Sequence, residues 1–247
     1  IAFAWKHISG GVPLYWDDER KNRGEARIID FAQSLIENLE STMLEKIGIA
    51  VFADGTTDPF SLDGLDAIMS ETNVYPIADD KQVVAGINRT TAANAYWRAN
   101  VLDATEPWSL NAGADGGWLH AYMLACKGKN NDQPDIILTT GDLWEKYDAQ
   151  LLQSQRFENP KLAEAGFRNL MYKNAAVVWD ENCPANTTYI LNSKYILLRP
   201  DTLCSDRFFV RKRHEMEDVN AERILMVWTG NMTCTVPNRQ SCLRNKS

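Results

Sequence analysis

The residues best suited to chemistry in this chain are its three histidines and five cysteines, and His120 and Cys126 come nearest to a nucleophile and its base. An imidazole beside a thiol can activate the sulfur for attack on a carbonyl. On a helix, though, a spacing of six places the two side chains more than a turn apart and off to different sides. Cys126, Cys183, Cys204, Cys234 and Cys242 contain no CxxC, and His7, His120 and His214 are scattered, so the short-spaced pairs of a zinc site are missing. An odd number of thiols in a chain of this size predicts reduced, unpaired cysteines. Asp17-Asp18 and Asp79-Asp80 are adjacent carboxylates, which rarely converge on one substrate and are expected at the surface. GxSxG, the P-loop, GxGxxG and HExxH are all absent. Ser9-Gly10 and Thr140-Gly141 read as turn or cap dipeptides, and the Asp54–Asp66 loop lacks EF-hand spacing. Asn88, Asn186 and Asn231 each begin a glycosylation sequon, read as accidental without a secretory signal. Arg211-Lys212-Arg213-His214 is a basic run behind Phe208-Phe209. A single-strand nucleic-acid site would interleave rings with cations. Glu215, Glu217 and Asp218 follow at once, which fits a solvated loop or charge pairing between copies of one chain.

Composition places limits of its own. The 247 residues are 45% hydrophobic and 24% charged, an ordinary globular balance for one elaborated domain or two joined subdomains. The net charge of −7 gives no general electrostatic hold on DNA or on an anionic membrane. No apolar run approaches the ~20 residues of a membrane span. The first residues lack the basic start and apolar centre of a signal peptide. Because the chain begins at Ile1, a truncated, processed or otherwise incomplete start is expected.

The elements that would have to position any site are legible in part. Ile1–Trp16 is aromatic and β-branched and reads as extended, one limb of a hairpin whose partner strand lies outside the sequence. Phe3, Trp5, Tyr15 and Trp16 on such a limb would form an apolar patch of the kind that marks an interface, unless the strand packs on the core of its own chain. From Gly24 to Phe52, Ile28, Phe31, Leu35, Leu39, Met43, Ile47 and Val51 recur at helical spacing, widened by Ile36, Leu44 and Ala50, and Asp54-Gly55 ends the run. Leu62–Ser70 suggests a short helix, and Val83–Val101 a strand followed by an extended segment. Ser109 is placed to cap a helix running to Lys127. Asp135–Thr139 reads as a buried strand, and Thr139 with Asp142 as the capping box of a helix that turns Leu143, Tyr147 and Leu151 inward. Arg168–Tyr172 and Ala175–Trp179 form a hairpin around Lys173-Asn174, with Asn expected to take the left-handed position. Tyr189–Asn192, Tyr195–Arg199 and a last strand, Glu222–Cys234, complete the reading.

Several of these pieces, in this order, resemble the major capsid proteins of tailed phages. They are the long helix with Ala53-Asp54-Gly55-Thr56; Gly86-Ile87-Asn88-Arg89 with Trp97-Arg98 behind it; and Pro134–Thr140 with Trp144-Glu145 and Tyr147. Gln155-Arg156-Phe157, Ala165-Gly166-Phe167, the strand Lys173–Pro184, Tyr189–Arg199 and Gly230-Asn231-Met232-Thr233-Cys234 complete the pattern. The resemblance implies an α+β chain of the Hong Kong-97-type capsid fold, with axial and peripheral domains, a long spine helix and an extended hairpin loop. It implies the second limb of that loop in 1–23, the peripheral domain with its spine helix in 24–84, the axial domain in 85–205 and the peripheral return in 206–247. It further implies a structural, non-catalytic subunit without a cofactor, assembling as pentamers and hexamers into an icosahedral head in the virion. The partners implied are identical subunits, scaffold, portal and decoration proteins, and packaged double-stranded DNA held without sequence specificity, with no membrane; synthesis would be in the host cytoplasm. Candidate intersubunit contacts are Phe3, Trp5, Tyr15, Trp16, Arg211, Lys212, Arg213, Glu215 and Glu217. An encapsulin-like compartment shell, and a soluble α/β enzyme with an unrecognised site, are the alternatives.

Overall fold

A computed structural model describes residues 3–21, 31–55, 61–69, 83–103, 117–126, 132–151, 170–201, 209–216 and 220–244. In chain order the elements are β1 (Lys6–Tyr15), α1 (Trp16–Lys21), α2 (Phe31–Phe52), α3 (Leu65–Ile68), β2 (Val83–Val84), β3 (Ile87–Asn88), β4 (Asn100–Asp103), α4 (Trp118–Ala125), β5 (Ile136–Thr139) and α5 (Gly141–Gln150). Then come β6 (Leu170–Tyr172), β7 (Ala175–Trp179), β8 (Thr187–Leu191), β9 (Ile196–Pro200), β10 (Val210–Glu215), β11 (Ala221–Cys234) and β12 (Ser241–Arg244). They fall into two compact units, one from 64–197 and 233–247 with the first three residues, the other from 4–63 and 198–232.

The first unit is built on a six-stranded sheet in the order β4-β12-β8-β5-β7-β6. β5 runs parallel to β7 and antiparallel to β8, while β12 runs parallel to β4 and antiparallel to β8. Helices α4 and α5 cover one face. There Trp118, Ala121, Tyr122 and Tyr147 pack on Ile137, Val177, Ile190 and Leu243. The Trp118 ring lies 4.8 Å from Tyr147 and 5.6 Å from Tyr172. The other face buries Tyr189 and Cys242, and Arg244 donates to Asp66 Oδ1 at 3.0 Å and to the Met69 carbonyl at 2.8 Å, tying α3 to the sheet.

The Gly86–Arg89 stretch with Trp97-Arg98 is a turn held from within. β2 and β3 form a hairpin whose turn residues, Ala85 and Gly86, take φ values of 54° and 78°, which cost glycine nothing and alanine little enough to tolerate here. Trp97 Nε1 donates to the Val84 carbonyl at 3.1 Å, and Arg98 donates to the carbonyls of Arg89 and Thr90. Arg89 is fully buried and gives its Nη1 and Nη2 to the carbonyls of Ile68 and Ala67 at the end of α3. The segment expected to be extended is instead a 3-10 turn, Ala92–Trp97, because these carbonyl contacts need the chain to coil back.

In the second unit, β1 pairs with β11 at ten positions, from Lys6↔Gly230 to Tyr15↔Ala221. β10 flanks β11 on its other side, and β9 also pairs with it. Helix α2 packs across one face, with Leu39, Met43, Ile47 and Ala50 against Met226, Trp228, Ile8 and Val12. Its 22 residues make a rod of about 33 Å. The stripe is narrower than the sequence implied, since Phe31 and Leu44 are exposed. Residues 22–30, which would extend this helix, lie outside those described.

Gly230-Asn231 is explained by packing. A Cβ at Gly230 would stand 2.7 Å from both the Arg199 carbonyl and the buried Trp228 ring, so only glycine fits. Asn231 then spends its whole amide. Its Nδ2 donates to Asp63 Oδ2 at 2.7 Å and to the Ala4 carbonyl at 2.8 Å, and its Oδ1 accepts from the backbone of Asp63 and Met232. The sequon there is therefore structural.

Other local expectations move. The helix expected from Ser109 begins at Trp118 with Gly117 at its cap, and Ser109 itself lies outside the described residues. Thr140, not Thr139, caps α5, and without a side-chain bond, because Thr139 is buried in β5 facing Thr188. In the 173–174 turn the left-handed residue is Lys173, at φ 55°, not Asn174, whose amide donates to Gln133 at 2.7 Å. Glu222–Cys234 is not the last strand, since β12 follows it. The basic run is not a loop but edge strand β10, with both Arg213 and Lys212 exposed.

Candidate functional site

The residues singled out for chemistry do not converge. His120 is exposed on α4, whereas Cys126 is half-buried at the end of that helix and packs against the core. Asp17 is exposed and Asp18 half-buried on α1. Asp79, Asp80 and Cys204 lie outside the described residues. Among the described residues no group of three or more His, Cys, Asp or Glu could hold a metal ion, and no helix is long and apolar enough to cross a membrane. An open groove of about 640 Å³ between β1 and α2 is lined by His7, Ile8, Ser9, Lys46, Ile49, Ala50, Ala53 and Ser61. The register turns the His7 side chain to the opposite side of the sheet, where its Nδ1 shares a hydrogen bond with Thr229 Oγ1 at 3.0 Å.

The thiols are placed for packing. Cys126, Cys183, Cys234 and Cys242 are free, and the last three are buried. Burial pushes Cys183 up to about 12, and Cys234 and Cys242 up to about 11. Only the thiolate is a strong nucleophile, so these sulfurs are inert at neutral pH. The folded thiols titrate above the ordinary value of 9.0, so the stability they contribute is complete below pH 9 and is lost as the pH rises through about 11 to 12. Alkylation of the native protein at pH 8 is expected to reach Cys126 before any of these three, which react only on unfolding. Fast labelling of Cys242 in the native protein would contradict its burial.

What the described surface does present is apolar area and charge. Trp5 is 58% exposed, Trp16 51% and Tyr15 48%, all in the second unit at or beside the two ends of β1. Such rings are costly in water, and the ten-residue length of β1 separates Trp5 from the neighbouring pair Tyr15-Trp16. Phe3 is half-buried. On β10, Lys212, Arg213, His214 and Glu215 are exposed, whereas Glu217 and the side chain of Arg211 fall outside the description. On the first unit, Met123 of α4 and Trp179 of β7 are more than half exposed. Lys6, by contrast, is turned inward, with Nζ 3.5 Å from Asp63 Oδ1 and 3.4 Å from the Gly55 carbonyl. Sequence reasoning found the aromatic residues flanking β1 but missed the exposed apolar groups on α2, α4 and β7. Each sits inside a run that also feeds the core, so residue type alone does not separate the two fates.

No protein-family model matches the chain, and no curated protein matches it in sequence. Solved structures do. A chain of the cyanophage A-1(L) capsid is 16% identical with a TM-score of 0.65, over 97% of this chain and 77% of that one. The SrpI encapsulin of Synechococcus elongatus is 7% identical with a TM-score of 0.62, over 98% of this chain and 74% of that one. The capsid of a native GTA particle gives 11% and 0.55, over 98% and 73%. The chain thus has the α+β Hong Kong-97-type capsid fold.

Proposed function

We propose that this chain is the major capsid protein of a tailed phage, a structural subunit that self-assembles as hexamers and pentamers into an icosahedral head around double-stranded DNA. The observation that carries the reading is the likeness to a cyanophage capsid chain along 97% of the sequence. The exposed rings of Trp5, Tyr15 and Trp16 support it, because identical neighbours would cover them. In this reading the six-stranded unit is the axial domain, the unit of β1, α2 and β11 is the peripheral domain, and α2 is the spine helix. The extended hairpin loop would lead into β1. The subunit carries out no reaction. Its work is mechanical, many modest contacts made at once. Its place is the virion after synthesis in the host cytoplasm, with scaffold, portal and decoration proteins as further partners and DNA held without sequence readout.

The test is assembly. Full-length protein is expected to form closed, hollow particles in the electron microscope. A monodisperse monomer under the same conditions would sink the reading. A second reading, the shell of a protein compartment, draws on the encapsulin likeness at a TM-score of 0.62. The contents separate the two: DNA entering through a portal vertex for the head, an enclosed cargo protein for the compartment.

A further inference from the structure

We infer that the face of the β1–β11–β10 sheet opposite α2 docks the acidic, aromatic start of α1 from a neighbouring copy, so that Trp16 and Asp17 of one subunit meet Arg223, Lys212 and His214 of the next. The inference rests on the self-assembly reading and assigns one contact within it.

The argument begins with strand alternation. Ile224, Met226 and Trp228 are buried on the side of β11 that faces α2, so Arg223, Leu225 and Val227 face the other way. The register sets His7 beside Thr229, and Lys212 and His214 beside Leu225 and Arg223, on that same outer side. His7, Lys212, His214 and Arg223 are exposed, while Leu225 and Val227 between them are half-buried. Glu215 and Glu222 oppose each other on the α2 side, so the three strands place no carboxylate on the outer face. Along these three strands Lys212 and Arg223 give the outer side a single sign in a chain of net charge −7, and Asp201 follows beside Thr229 at the end of β9.

Its anatomy, an apolar centre rimmed by charge, is that of a protein interface. Phosphates would gain nothing from Leu225 and Val227, so a polypeptide fits better than a nucleic acid. The complement must offer an apolar anchor beside carboxylates, and the chain carries one. Trp16 is half exposed and Asp17 exposed, followed in sequence by Asp18 and Glu19, with the cations Arg20 and Lys21 coming only afterwards. One surface binding a different surface of an identical copy is a head-to-tail contact, the kind that closes into rings.

The experiment is a charge swap in the full-length protein, with particle yield measured by sedimentation and electron microscopy. Arg223→Glu and Asp17→Arg, each alone, are expected to lower the yield by about tenfold or more, since like charges meeting at an interface are strongly unfavourable. The double variant D17R/R223E is expected to recover it. Lys212→Glu, on the edge strand, repeats the test where Arg223→Glu fails to fold, as judged by its melting curve. Single variants that assemble like the wild type would overturn the inference, as would a double variant no better than the singles. Particles of R223E that form normally but no longer retain DNA would overturn it in favour of a nucleic-acid face. A wild type that forms no particles is a different result, which sinks the assembly reading itself and this contact with it.

Discussion

Replacing Trp118 with alanine is expected to destabilise the six-stranded unit by about 3–5 kcal/mol, the range seen when a large buried ring is removed. Trp118 is fully buried. Its ring bridges α4 to α5 through Tyr147 at 4.8 Å and reaches β6 through Tyr172 at 5.6 Å. The Trp118–Tyr147 pair is tilted and the Trp118–Tyr172 pair edge-to-face, and ring contacts of this kind add to the area term. The neighbours cannot close the gap cheaply, because Tyr147 is anchored by its hydroxyl to the Met171 carbonyl at 3.0 Å. The cavity therefore persists. Urea unfolding followed by a probe in this unit, such as exchange of the β5 amides, measures the loss. Trp118→Phe should cost much less. An alanine variant with an unchanged midpoint would mean that the aromatic cluster does not hold the two helices to the sheet.

Arg89→Ala is expected to cost at least about 3 kcal/mol, for a different reason. The guanidinium is fully buried, and burial holds its pKa down at about 10, still protonated at neutral pH. Two of its nitrogens satisfy the Ile68 and Ala67 carbonyls at the end of α3, a helix with only four residues to hold it. Removing the side chain leaves those carbonyls dry and unpaired, at about 1–3 kcal/mol each, and opens a cavity besides. Arg89→Lys keeps the charge but loses the planar fork, so one ammonium must serve two acceptors and an intermediate cost follows. Hydrogen exchange at Ile68 and Met69 reads the local effect, thermal melting the global one. If alanine melts like the wild type, water must be able to take over both carbonyls.

The sequence made the second unit legible where pattern and packing agree. Leu39, Met43 and Ile47 recur at helical spacing, and one face of α2 is indeed buried through them. β11 was visible from end to end, because its alternation of buried and half-buried residues is carried by large side chains. β12 was missed. Ser241-Cys242-Leu243-Arg244 is too short for a period to show, and it is a strand only because β4 and β8 stand on either side of it. β10 was hidden by its charges, which an edge strand can display and a central one cannot. The turn at Lys173 followed the flanking strands rather than residue preference. As for the candidate site, the aromatics near β1 could be named in advance. The face opposite α2 could not, since it exists only once three distant segments share a register.

The place of β12 has a consequence for biosynthesis. Among the last residues described, it enters the sheet between β4 and β8 and not at an edge. Until Ser241–Arg244 have left the ribosome, β4 has no partner in the sheet and the far side of β8 stands bare. A prematurely terminated chain would thus be unable to close this layer.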